Sequence, residues 1–136
     1  MSAFNAYVRD SLHYGEGKTY KPSIQTYRTW DFHHQPPGSP FPVPQAMNVM
    51  PDLANAMKYN PNLRIQLNAG YYDLATPFFE GVYEMQHLPI PPDLQSHIEF
   101  KFYQSGHMVY AHEESLKTLH DNAADFIRRT DNVAGE

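Results

Sequence analysis

The sequence predicts an α/β fold, with two parallel strands joined by a helix in the C-terminal half, and three observations predict it. Residues 63–68 (Leu-Arg-Ile-Gln-Leu-Asn) and 97–103 (His-Ile-Glu-Phe-Lys-Phe-Tyr) alternate apolar and polar side chains, the period of a strand. Between them Phe78, Val82, Met85 and Leu88 recur at spacings of four, three and three, the stripe of an amphipathic helix. After the second strand, Leu116, Leu119, Ala123, Phe126 and Ile127 form a second helical stripe across 113–129. Strand, helix, strand, helix reads as a βαβ unit with a covering helix, and the crossover makes the strands parallel neighbours.

Along the chain, Ser2 is the expected N-cap of a helix to about Leu12, with Phe4, Tyr7, Val8 and Leu12 on one side. Residues 14–21 break it. Residues 24–30 alternate weakly, as a short extended piece or plain loop. Pro36, Pro37, Gly38, Pro40, Pro42 and Pro44 then exclude regular structure and predict a loop packed by Phe41 and Val43. A helix from Met50 or Pro51 to Tyr59 follows, and Asn60-Pro61 stops it. Thr76-Pro77 opens the helix to about His87 with an N-cap and a proline at its first position; Pro89, Pro91 and Pro92 end it. Glu113 and Glu114 at the start of the last helix and Arg128 and Arg129 at its end suit the helix dipole. The expected organisation is a helical and Pro-rich, cap-like connecting segment over 1–61 and a βαβα unit over 62–136, together one folded unit.

Composition narrows the function. With 136 residues and 41% hydrophobic side chains, 14% of the chain being aromatic, a single folded domain is expected. A net charge of −5 with only ten Lys and Arg argues against nucleic-acid binding, which needs a cationic face. No apolar run approaches the ~20 residues of a membrane span. The absence of cysteine removes disulfides, thiol catalysis and thiolate metal sites. The eight histidines, among them His33-His34, His112 and His120, read as surface residues, so neither a metal nor a cofactor is expected. No secretion signal is visible at the start of the chain, and the compartment is open.

Chemistry concentrates in two loops. The first strand is expected to end at Ala69, so Asp73 follows it by four residues, and His107 follows Tyr103 by four. On adjacent parallel strands both emerge at the carboxyl edge of the sheet, where reactive groups of α/β proteins collect. A buried aspartate there can hydrogen-bond one ring nitrogen of the histidine and fix its tautomer. Gly70 and Gly106 are expected to give these loops backbone freedom. Tyr71, Tyr72, Met108 and Tyr110 lie beside the pair as substrate-adjacent candidates, while Phe78, Phe79, Tyr83, Phe100, Phe102 and Tyr103 read as core.

At these residues the chain resembles the serine carboxypeptidases, peptidase family S10, especially bacterial members. Residues 68–77 (Asn-Ala-Gly-Tyr-Tyr-Asp-Leu-Ala-Thr-Pro) look like the segment around the family's triad aspartate, and 105–110 (Ser-Gly-His-Met-Val-Tyr) like that around its histidine. Segments 7–12, 28–31 and 60–63 fit as well. The resemblance implies the C-terminal third of an α/β-hydrolase fold, with Asp73 orienting His107 and His107 as base for a serine. It implies peptide substrates cleaved at their C-terminal residue by the intact enzyme, and a family usually exported. The Gly-x-Ser-x-Gly elbow of such hydrolases is not in this sequence. The chain alone is therefore expected to be inactive. The alternative is a non-catalytic module or homo-oligomeric binding domain derived from that family. A two-stranded parallel sheet rarely stands alone. Its free edge predicts pairing either with residues 24–30 or with a second copy in a homodimer.

Overall fold

The computed structural model describes residues 2–15, 17–18, 21, 24–43 and 48–131. Ser2 as an N-cap and Pro44 in the Pro-rich loop fall outside what is described of side chains and backbone, respectively. The chain divides into two compact units, Met1–Phe32 and His33–Glu136.

In the first unit, helix α1 (Ser2–Ala6) continues as a π-helical turn, Tyr7–Ser11. The Leu12 N–H reaches back five residues to the Tyr7 carbonyl at 3.1 Å. The wider winding takes the expected apolar stripe out of phase. Phe4, Tyr7 and Leu12 are each about half exposed. Residues 24–30 hold only a 3₁₀ turn at Thr26–Arg28, so they do not add a strand to the sheet.

The second unit carries the α/β architecture. Its elements are α2 (Met50–Tyr59), β1 (Ile65–Gly70), α3 (Phe78–Gln86), α4 (Pro92–Gln95), β2 (Ile98–Tyr103) and α5 (Glu113–Thr130). Strands β1 and β2 pair in parallel, with Ile65 opposite Ile98 and Gly70 opposite Tyr103. No further strand joins them among the described residues. The helix α4 was hidden in the sequence by prolines; Pro91 and Pro92 sit at its N-cap and first turn, where no intrahelical N–H is needed. Its purpose is to bury Leu94.

The register sorts the sheet into two faces. Ile65, Leu67 and Ala69 share one face with Ile98, Phe100 and Phe102. Helix α3 lies close on that face: a Cβ on Gly81 would stand 2.9 Å from Leu67 Cδ1. At the sheet's far end Ala54 and Met57 of α2 join Leu88, Leu94 and Ile98 in the core. This is why the 33–61 segment groups with the sheet, the division into compact units falling at Phe32–His33. The Pro-rich loop is closed by an antiparallel bridge between His34 and Val43 and tied to α2 by His34 Nε2 and Asp52 Oδ2, 2.8 Å apart. Phe41 and Val43 do not pack that loop; they are 73% and 41% exposed.

The opposite face carries Gln66 and Asn68 beside Glu99, Lys101 and Tyr103. Helix α5 covers it largely through hydrogen bonds. Tyr103 is buried, and its hydroxyl donates to Asn68 Oδ1 at 2.7 Å and accepts from Asn122 Nδ2 at 3.2 Å. Gln66 donates to Glu99 and to the Asn122 carbonyl. Arg129 grips both oxygens of Glu99 at 3.1 and 3.0 Å. Burial works against ionisation of Glu99, and the bonds from Gln66 and Arg129 overcome it and lower its pKa. Because the docking is polar, the expected apolar stripe of α5 is only partly covered, and Leu116 and Ile127 stay exposed.

Candidate active site

The two loops leave the sheet side by side because strand pairing continues past the strand ends. Tyr71 N–H donates to the Tyr103 carbonyl and Tyr72 N–H to the Ser105 carbonyl, both at 3.0 Å. Only glycine fits at position 70, since a Cβ would come within 2.4 Å of the Ser105 and Gly106 carbonyl oxygens. The requirement is for close approach, not for an unusual φ: neither Gly70 nor Gly106 has a positive one. At Gly106 the nearest atom to a Cβ is 3.8 Å away. The root of the first loop is held by rings: Tyr71 meets Phe78 edge-on at 5.2 Å and Phe102 at 5.6 Å.

Asp73 turns back over this root. Its N–H donates to the Gly70 carbonyl at 3.2 Å. Oδ1 accepts the N–H groups of Ala75 and Thr76 at 2.8 and 3.0 Å. Oδ2 accepts the Thr76 hydroxyl at 2.7 Å and lies 2.9 Å from His107 Nδ1. The carboxylate is buried, 8% exposed as a residue. The Thr76 N–H is the strongest influence on its ionisation; with the Thr76 hydroxyl, His107 and the Ala75 N–H it outweighs burial and holds the pKa far below the usual carboxylate range.

His107 presents the opposite environment, its side chain 65% exposed. An ionised carboxylate can only accept, so the bond to Asp73 places the proton of neutral His107 on Nδ1. Nε2 then carries no proton and has no partner among the described residues. The arrangement therefore joins a buried carboxylate that favours its ionised form to an exposed imidazole whose tautomer it dictates.

Comparison with models of protein families, with curated proteins and with solved structures finds no match to this chain. The site is therefore read from its own geometry.

The other residues singled out in the sequence take separate places. Tyr71 belongs to the aromatic cluster under the loop, and the Tyr72 hydroxyl donates to Gln104 Oε1. Met108 and Tyr110 are 55% and 60% exposed on the loop that carries His107. Phe79 and Tyr83, read as core, are exposed on α3. Ser105 is buried and its hydroxyl donates to the Val109 carbonyl at 3.4 Å. Among the described residues no serine hydroxyl bonds to His107. Nor do His, Asp and Glu gather there in any group able to hold a metal ion. His112 instead caps α5, its Nδ1 accepting the Ser115 hydroxyl at 2.8 Å.

Two contributors escaped the sequence reading. Thr76 is not the expected N-cap of α3: that helix starts at Phe78 behind Pro77, and the Thr76 hydroxyl serves Asp73. The signal was present as Asp-Leu-Ala-Thr, since an aspartate readily binds backbone and hydroxyl donors two and three residues on. Leu74, 95% exposed, gives the site an apolar neighbour that no periodicity marks.

Proposed function

We propose that residues 62–130 are the acid- and base-bearing part of a serine carboxypeptidase-like hydrolase of the α/β-hydrolase fold. The observation that carries this reading is the 2.9 Å contact of His107 Nδ1 with the buried Asp73 carboxylate at the carboxyl ends of two parallel strands. Asp73 orients the imidazole and stabilises the imidazolium. His107 Nε2 takes the proton of a serine hydroxyl as that oxygen attacks the C-terminal peptide bond of a peptide, and returns it to the leaving amine. The serine comes from polypeptide outside this chain, because no Gly-x-Ser-x-Gly elbow is present. The edge of β1, which no other strand joins among the described residues, supports docking of such polypeptide as a further strand.

Alone, the chain hydrolyses no peptide. Removing the nucleophile of a triad costs about 10⁶ in turnover in subtilisin. The test has two arms. An amino-blocked dipeptide should be left intact, and ¹⁵N resonances of His107 should show the proton on Nδ1, a bias that Asp73→Asn abolishes. Turnover that disappears with His107→Ala would show a nucleophile within this chain. A proton found on Nε2 in the unaltered protein would remove the dyad itself.

A further inference from the structure

In the first unit the chain doubles back along its helix. The Tyr14 N–H bonds the Val8 carbonyl at 3.1 Å, and the Lys18 N–H bonds the Gly15 carbonyl at 2.9 Å. The reversal uses backbone that most residues avoid: His13 at φ 50°, Gly15 at 67° and Gly17 at 75°. His13 is the one residue with a side chain in that region among those described. A residue with a side chain visits this region only occasionally, histidine more often than most, and here it turns the chain back on itself.

The reversal leaves an open-sided cavity of about 290 Å³ between the helix and the returning segment, near the lower end of the range for small-molecule sites. Val8 and Tyr14 supply apolar wall, and Asn5 supplies a polar side chain. Among the described residues three cationic ones line it: Arg9, Lys18 and Lys21. The chain has only ten Lys and Arg against fifteen Asp and Glu, so this concentration runs against its overall charge. None of the three forms an ion pair among the described residues. Arg9 gives one Nε–H, at 3.5 Å, to the Asn5 carbonyl. Its other guanidinium donors have no partner among the described residues. Like charges gathered around one concavity repel each other, and an anion between them turns that repulsion into attraction.

We infer that this cavity binds a small phosphate monoester, its dianion held by Arg9, Lys18 and Lys21 and its apolar body against Val8 and Tyr14. Arginine can take two phosphate oxygens at once, and the lysines act as point charges on the same group. The site belongs to the first unit alone and does not depend on the reading of Asp73 and His107.

Phenyl phosphate titrated into the full-length chain, followed by backbone amide shifts, tests the inference. Saturable shifts should concentrate in residues 5–21. Affinity should fall about tenfold or more in the double variant Lys18→Gln/Lys21→Gln, and about fivefold or more when NaCl rises from about 50 to 500 mM. Benzyl alcohol, which keeps the ring without the charge, should not compete. Both lysines are exposed, and unchanged shifts for β1 and β2 verify that the variant is folded. Absence of saturation, equal affinity in the double variant, or equal competition by benzyl alcohol overturns the inference. So do shifts that concentrate elsewhere.

Discussion

At the scale of single residues, the contrast between Asp73 and His107 decides what the site can do, and it has a consequence for stability. The Asp73 carboxylate receives two backbone N–H groups, a hydroxyl and an imidazole N–H, all of which favour the ionised form. Its folded pKa therefore lies below the value of about 3.9 it has in an unfolded chain. A depressed carboxylate stabilises the fold fully above the unfolded value, and loses that contribution as the pH falls towards the folded one. Asp73→Asn removes the ionisation. Its amide also turns a donor towards the Thr76 hydroxyl and His107. The unaltered chain should have the higher thermal midpoint at pH 7, and the gap should narrow progressively below about pH 4. A gap that stays constant down to pH 2.5 would mean that the ionised carboxylate contributes nothing to folding.

At the scale of elements, the two faces of the sheet are held in different ways. On one, Leu67 and Phe100 meet α3 and the α2 core by apolar packing; on the other, α5 is held by the Tyr103, Asn68 and Asn122 network and by Arg129 on Glu99. Tyr103→Phe keeps the ring and leaves Asn68 Oδ1 and Asn122 Nδ2 each without that partner. The cost should be about 1–2 kcal/mol in urea unfolding, the lower part of the range for orphaned polar groups because Asn68 keeps some access to water. A change below about 0.3 kcal/mol would show that α5 is held by packing alone. This difference between the faces also separates what was legible in the sequence from what was not. The strands, α2, α3 and α5 were readable because periods of 2 and 3.6 leave a record in side-chain order, and the Asp73–His107 meeting followed from two adjacent parallel strands. Strand β1 itself runs to Gly70, which leaves Asp73 three residues past its end against four for His107. Gln66, Asn68 and Glu99 were read merely as the polar alternation of half-buried strands; only coordinates show a helix laid across them. Likewise Leu116 and Ile127 satisfied a helical stripe that the polar docking never covers, and Phe4 and Leu12 one that π-winding misaligned.

At the scale of the whole chain, the two units differ in whether they possess an interior. No described residue between Ser2 and Phe32 whose side chain is described is buried, whereas the second unit buries Ala54, Met57, Leu88, Leu94, Ile98, Tyr103 and Val109. Apolar burial is the main source of folding free energy, at roughly 25 cal/mol per Å² removed from water. Protection of backbone amides against exchange should follow it. Amides of β1, β2, α2 and α5 should be protected by about 10³ or more, and those of residues 2–32 by less than about tenfold. The first unit's helical N–H groups make this a demanding comparison, since their hydrogen bonds are formed but no packed side chain defends them. Equal protection in the two units would mean that the first acquires its burial from contacts beyond its own residues. Phenyl phosphate sharpens the same measurement: if Arg9, Lys18 and Lys21 close on a dianion, protection should rise between residues 5 and 21 by mass action and stay unchanged in β1 and β2.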